Sequence, residues 1–370
     1  MIYLDNSATS FVKPKIVKDA VIRALNTLTA NPGRSGHYLS QNIAQQVFET
    51  REKLKKFFNA PNHEVVFTKN CTEALNLALR GFLKSGDHVI TTCYEHNSVL
   101  RTLKSMENMG VEVTIMDCSL KDFAHVFEQK IKQNTTLVVT THVSNVTGEI
   151  TDVKTVGKLC KKHGINYLVD GAQSCGHLEV DLQNSNITFL TFSGHKGLLS
   201  ITGVGGLIVK KGTKLNPLIF GGTGTDSKNL VQPTDFPEGY ESGTLPTIPI
   251  VSLSAGLDFL TKNFNKIKQK ESSLSLYTYS ELKKLPFVEL YSTENSTNVF
   301  AFNIIGQDDA VVSNELNEKF NICVRAGKHC SPLIHQKLGT SGAVRVSVDF
   351  NNTKKEIDAL IFALKHIANF

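Results

Sequence analysis

Ile165-Asn166-Tyr167-Leu168-Val169-Asp170-Gly171-Ala172-Gln173 decides how this chain is read. A nearly unbroken apolar run ends in a carboxylate, a glycine and an amide. Such a run, without polar alternation, is expected of a strand covered on both faces, as in a parallel sheet. Before it, 153–163 has helical apolar spacing and stops at Gly164, a usual residue just past a helix C-terminus. Working outward, the rhythm repeats. A short apolar run at 65–68 precedes a helix over 71–83, with Ala74, Leu75, Leu77, Ala78 and Leu79 as its apolar surface. Strands are expected at 87–92, 111–116, 137–141, 187–192 and 204–209, and a helix at 98–109. This alternation predicts an α/β fold, a mostly parallel sheet with helices on both faces.

Near residue 250 the rhythm changes. Residues 250–260 read as a helix, and a Lys-rich helix follows to about 284. Strands at 299–304 and 344–348, with helices at 310–320 and from 353, predict a smaller α+β domain. The expected division is a large domain over 14–250 and a smaller one over 1–13 and 251–370. Pattern alone does not place the first dozen residues.

The 370 residues are 41% hydrophobic and 20% charged, as in soluble globular chains, and are enough for a large core. The net charge of +6 is scattered, which reads as a solvated surface and argues against nucleic acid as a partner. Seven cysteines, an odd number without a CxxC, argue against a disulfide framework and for a reducing compartment. The chain shows no signal-peptide pattern and no apolar run long enough to span a membrane. A cytoplasmic location without membrane contact is therefore expected.

In parallel α/β sheets, chemistry gathers at the carboxyl ends of strands. Here three such ends carry polar groups: His142, Ser144 and Asn145 after 137–141; Asp170 and Gln173 after 165–169; Ser193, His195 and Lys196 after 187–192. A carboxylate directly behind Tyr167-Leu168-Val169 is costly without a cation partner. A protonated pyridine nitrogen is one such partner, and the pair would keep that ring an electron sink. A desolvated lysine near other cations has the lowered pKa that Schiff-base chemistry needs, and Lys196 is placed for it. Thr72, opening the 71–83 helix, offers a hydroxyl beside free backbone N–H groups, which suits a phosphate. Taken singly, Asp170 also fits a turn residue, Lys196 a surface lysine, Thr72 a helix cap and Asn145 a turn before Gly148.

At these residues the sequence resembles a known family. Val169-Asp170-Gly171-Ala172-Gln173 and Ser193-Gly194-His195-Lys196 are similar to the two signatures of the class V, fold-type I pyridoxal-5′-phosphate (PLP) enzymes. Further matches are Tyr3-Leu4-Asp5-Asn6-Ser7-Ala8, Asn70-Cys71-Thr72-Glu73-Ala74, Glu95-His96, His142-Val143-Ser144-Asn145, Glu241-Ser242-Gly243-Thr244 and Val324-Arg325-Ala326-Gly327-Lys328-His329-Cys330. They follow the family's order over nearly the whole chain. They resemble most the cysteine desulfurase and selenocysteine lyase group, especially its SUF-type branch.

The resemblance implies an aspartate-aminotransferase-like fold with a seven-stranded, mostly parallel sheet. It implies that Lys196 carries PLP as a Schiff base and later moves protons. Asp170 would pair with the pyridinium, Gln173 with the ring hydroxyl, and His96 would stack on the ring and take part in proton transfer. Thr72, Ser193 and His195 would hold the phosphate, with Thr244 reaching in from the other subunit of a homodimer. Asn145 and Arg345 would bind the carboxylate end of the substrate, while Arg34, His37 and Arg325 line the mouth. Cys330 would be the nucleophile.

The implied reaction turns L-cysteine into L-alanine and leaves a persulfide on Cys330 for an acceptor protein, as in iron–sulfur cluster assembly. Thiolate is the reactive form, and neighbouring positive charge favours it; Arg325, Lys328 and His329 lie within five residues of Cys330. L-selenocysteine is the alternative substrate, since a selenocysteine lyase would share every residue named. In another class V aminotransferase or lyase, Cys330 would be incidental. No metal site is expected: His329 and Cys330 are adjacent, and Cys160 with His163 reads as helix-face coincidence. Cys175 and Cys323 are expected as buried thiols. Two departures from the SUF-type branch stand out: Lys328 replaces the first of two histidines common before the nucleophile, and the 221–241 stretch is shorter.

Overall fold

The computed structural model describes residues 1–33, 36–225 and 228–370. The chain begins with β1 (Ile2–Tyr3), α1 (Lys15–Thr27), α2 (Tyr38–Phe57), β2 (His63–Thr68), α3 (Cys71–Phe82), β3 (His88–Thr92), α4 (Asn97–Glu107), β4 (Glu112–Met116) and α5 (Phe123–Val126). It continues with β5 (Thr135–Thr141), α6 (Val153–Lys162), β6 (Asn166–Asp170), β7 (Phe189–Ser193) and β8 (Gly205–Lys210). The last third holds α7 (Thr247–Lys283), β9 (Val288–Leu290), β10 (Val299–Ile304), α8 (Asp309–Phe320), β11 (Ile322–Cys323), α9 (Pro332–Lys337), β12 (Val344–Ser347) and α10 (Lys354–Ile367).

Seven strands form the central sheet in the order β2-β8-β7-β6-β5-β3-β4. β8 runs antiparallel to β2 and β7, and the other pairs are parallel. The apolar runs follow from burial on both faces. Tyr167 and Val169 join Val138, Leu190 and Ile208 in the core under α2, α6 and the first half of α7. Between them, Leu168 turns the other way and packs with Leu137, Val139, Phe189 and Leu207 against α3 and α4. Each strand thus feeds two cores by its two-residue period.

A third core gathers β10, β12, α8, α10 and the far half of α7 around Phe300, Phe302, Val344 and Leu360. Its sheet is antiparallel, in the order β12-β10-β9. β1 pairs in parallel with β11 and brings Leu4 into this core, which places the N-terminal dozen that pattern left open. The two helices expected between 250 and 284 are one continuous helix, α7, of 37 residues. No proline interrupts it after its first turn, so nothing breaks the backbone ladder. Cys175 is buried, whereas Cys323, expected to be buried, is only half-buried on β11. Cys160 is buried in the core, and His163 Nε2 lies 2.7 Å from Glu128 Oε1. Among the described residues no helix is long and apolar enough to cross a membrane.

Two glycines let this architecture close around one place. A Cβ on Gly205 would sit 2.5 Å from the carbonyl carbon of Asn70, so β8 passes directly behind the start of α3. A Cβ on Gly171 would come within 2.6 Å of Cys175 Sγ and 2.9 Å of the Thr191 carbonyl, so only glycine lets the chain leave β6 so close to β7.

Candidate active site

The carboxyl ends of β5, β6 and β7 meet the N-terminus of α3 around a cavity of about 230 Å³. Thr72, His96, Asn145, Asp170, Gln173, Ser193, His195 and Lys196 all line it. They come from five separate segments, brought together by the strand order.

Asp170 ends β6 and is 4% exposed. Its Oδ1 accepts the Ala172 N–H at 2.9 Å and faces the Cys71 thiol at 3.4 Å. No protein group among the described residues engages Oδ2. Burial, and then Asp170 itself, push the Cys71 thiol well above its ordinary range, so it stays S–H and can donate. Thr191 Oγ1, 3.3 Å away, is its other partner. Lys196 shares this wall. Burial lowers its amine pKa; Asp170 opposes this in part, and Arg345 and Arg325 depress it further.

His96 is the N-cap of α4. Its Nδ1 accepts the Ser98 N–H at 3.1 Å, so the neutral ring carries its proton on Nε2. Burial lowers its pKa and keeps it neutral near pH 7, with Asp170 opposing. The Ser98 hydroxyl lies 2.8 Å from this Nδ1 and 2.7 Å from Thr72 Oγ1, linking the stacking candidate to the phosphate candidate. Behind His96, Glu95 is fully buried. Its Oε1 accepts from Thr92 Oγ1 at 2.6 Å and from the Thr141 N–H at 2.9 Å, while Oε2 has no partner among the described residues.

On the opposite wall the N-terminal segment contributes. Gln173 Nε2 donates to the Ser7 carbonyl at 3.0 Å, and His195 Nδ1 lies 3.0 Å from Thr9 Oγ1. Burial first, then Lys196 and Lys13, push the His195 pKa down to about 4. Asn70, at the N-cap of α3, accepts the Glu73 N–H, so the first N–H groups of that helix, Cys71 and Thr72, have no intrahelical acceptor.

The other expected residues stand apart from the cavity lining. Cys330 is exposed, and Arg325 Nη2 lies 4.0 Å from its Sγ. Its backbone is docked on the site: the Asn97 N–H donates to the Cys330 carbonyl at 2.7 Å. Arg325 and Arg345 exchange backbone hydrogen bonds. Arg345, 1% exposed, is already committed: Nη2 to Asp5 Oδ1 at 2.7 Å and Nη1 to the Asn145 carbonyl at 3.0 Å, with Nε unpartnered. His37 is exposed and caps α2 through Nδ1. Thr244 is exposed, on a segment anchored by a bidentate pair between Arg51 and buried Glu241. Arg34 lies outside the described residues.

The sequence assigned no role in the site to Cys71, Ser98, Asp5, Thr9 or Ser331, although Cys71 and Asp5 lie in family-like stretches. Only Ser98 carried a local signal, a hydroxyl residue opening a helix two positions after His96. The rest arrive through tertiary approach.

Aminotransferase class-V matches the chain over residues 2–360. A probable cysteine desulfurase of Methanothermobacter thermautotrophicus is 33% identical over 99% of this chain and 94% of its own length. A probable cysteine desulfurase of Pyrococcus abyssi is 35% identical, with the same shares covered. Among solved structures, the apo cysteine desulfurase of Thermococcus onnurineus NA1 superposes with a TM-score of 0.91 at 32% identity, covering 100% of this chain and 94% of that one. With its profile, its relatives and its fold in agreement, the chain belongs to the aminotransferase class-V family, alongside cysteine desulfurases.

Proposed function

We propose that this protein is a PLP-dependent cysteine desulfurase that converts L-cysteine to L-alanine and takes the sulfur as a persulfide on Cys330. One observation carries the reading. Lys196, with its depressed amine pKa, and Asp170 line the same cavity, and the Cys330 loop is docked on its rim. The donor set fits PLP: a carboxylate oxygen for the pyridinium, the free N–H groups of α3 with Thr72 and Ser193 for the phosphate, and an amine for covalent attachment.

When bound, PLP supplies an electron sink for the electrons released at the substrate Cα. Lys196 holds it and moves the Cα proton. Asp170 would keep a negative charge for the ring nitrogen, and Gln173 would hydrogen-bond the ring hydroxyl. His96, neutral and with its proton on Nε2, would cover the ring face. Asn145 and Arg345 orient the substrate carboxylate, for which Arg345 exchanges Asp5. Sγ of Cys330 would attack the substrate sulfur, the carbon–sulfur bond would break with its electron pair left on Cβ, and protons delivered to Cβ and back to Cα would yield alanine beside the Cys330 persulfide.

A homodimer completes the site in this reading, with Thr244 serving the neighbour's phosphate. Support comes from exposed Phe48, Phe220, Leu230 and Val231, and from a groove of about 380 Å³ that Phe48, Thr223 and Gly243 share. His37, Arg34 and Arg325 would line the mouth. A sulfur-acceptor protein would approach exposed Cys330, and free cysteines suit a reducing cytoplasm.

The test is alanine release from L-cysteine and from L-selenocysteine. Wild type is expected to release alanine from L-cysteine. Cys330→Ser is expected to keep the visible absorbance of bound PLP and lose desulfuration, whereas Lys196→Ala loses that absorbance. A fully active Cys330→Ser enzyme would sink the desulfurase reading, and activity confined to selenocysteine would make the protein a lyase.

A further inference from the structure

One side chain grips the backbone on both sides of Cys330. Asn145 Nδ2 donates to the His329 carbonyl at 2.7 Å, and Asn145 Oδ1 accepts the Ser331 hydroxyl at 2.8 Å. Ser331 is fully buried, although Cys330, its neighbour, is exposed. The loop needs such a grip. His329 and Cys330 both lie in the left-handed region, at φ +48° and +59°. Two consecutive non-glycine residues there persist only where the surroundings hold them. Asn145 in turn lines the cofactor cavity, and its own carbonyl takes Nη1 of Arg345. The same residue therefore touches the cavity, the substrate-carboxylate arginine and both flanks of the nucleophile.

We propose that Ser331 is a positioning residue, and that its hydroxyl and the Asn145 amide form a latch holding Cys330 in its attacking position. The inference rests on the desulfurase reading for its kinetic consequence, but not for its structural one. Without the Ser331 hydroxyl, Asn145 Oδ1 loses its donor and the loop keeps one side of the clasp. The strained pair can then relax, and Sγ spends less time within reach of the substrate sulfur. Formation of the cofactor site itself does not need this hydroxyl.

The experiment uses the PLP-loaded Ser331→Ala protein beside wild type and Ser331→Thr, which keeps a hydroxyl. Hydrogen–deuterium exchange at the amides of 327–333 is expected to speed up at least fivefold in Ser331→Ala, with the visible absorbance unchanged. The kcat for alanine release is expected to fall about tenfold, with KM for L-cysteine within twofold of wild type; Ser331→Thr recovers both. Unchanged exchange overturns the latch, and faster exchange with an unchanged kcat overturns the positioning role. Should buried Ser331 not accept the extra methyl of threonine, the Ser331→Ala exchange and kcat still decide. If wild type releases no alanine from L-cysteine, the desulfurase reading fails, and loop exchange alone decides the latch.

Discussion

Glu95 shows how one residue can register pH. Burial raises its carboxyl pKa from 4.5 to about 8, against the Thr92 and Thr141 hydrogen bonds that lower it, with Asp170 raising it further. The folded form therefore holds a proton that the unfolded chain gives up. Its contribution to stability is present below pH 4.5 and is lost as pH rises towards 8. Glu95→Gln keeps an oxygen for the two donors and cannot ionise. Compared with wild type, it is expected to gain stability at pH 8 relative to pH 5, read from thermal midpoints at both values. An equal difference at the two pH values would mean that Glu95 is already ionised when folded. The carboxyl at 170 was legible in the sequence because it directly follows an apolar run. Glu95 was legible only as part of a resemblance, since nothing in its neighbours betrays complete burial. Asp5 too was legible only as part of a family-like stretch, and Ser331 carries no signal at all. Their partners, Arg345 and Asn145, are supplied by the fold.

Elements repeat that contrast. The inner strands of the central sheet, such as β6 and β7, were readable because both faces are covered and the runs are mostly apolar. α1 and α2 were not. α2 buries only Ser40, Ile43, Val47, Thr50 and Leu54 along a polar sequence, a thin stripe. α1 leaves Ile16, Ile22 and Leu25 exposed, which blurs its face. α3 was readable from its apolar surface, and its start matters most, because the candidate phosphate donors lie there. Asn70 Oδ1 accepts the Glu73 N–H at 2.9 Å. Asn70→Ala is expected to cost about 1 kcal/mol of stability, measured by guanidinium denaturation, and to weaken PLP retention. Retention equal to wild type would separate the cap from the phosphate site.

At the scale of the whole molecule, α7 is shared. Its first half packs through Ile250, Leu253 and Leu257 against the large core, and its far half through Leu274 and Leu282 against the smaller one. We propose a division near residue 250, with residues 1–13 joining the smaller domain, on the strength of these separate cores and the β1–β11 pairing. α7 also presses on the Lys196 loop: a Cβ on Gly256 would lie 2.2 Å from the Leu198 carbonyl oxygen. Gly256→Ala is expected to destabilise by about 1–3 kcal/mol through overpacking and to lower the fraction of protein carrying PLP. Calorimetry and the visible absorbance measure both effects, and an alanine tolerated at no cost would show that the loop can yield.

The pairing of β1 with β11, and of Asp5 with an arginine 340 residues away, has a consequence for biosynthesis. On a ribosome adding roughly 5–20 residues per second, residues 2–5 wait on the order of tens of seconds before their partners exist. Until then Arg345 has not been made, the Cys330 loop is missing, and β1 has no strand to pair with. The nascent chain can fold most of its large sheet early, yet it holds no finished thiol chemistry until synthesis is nearly over.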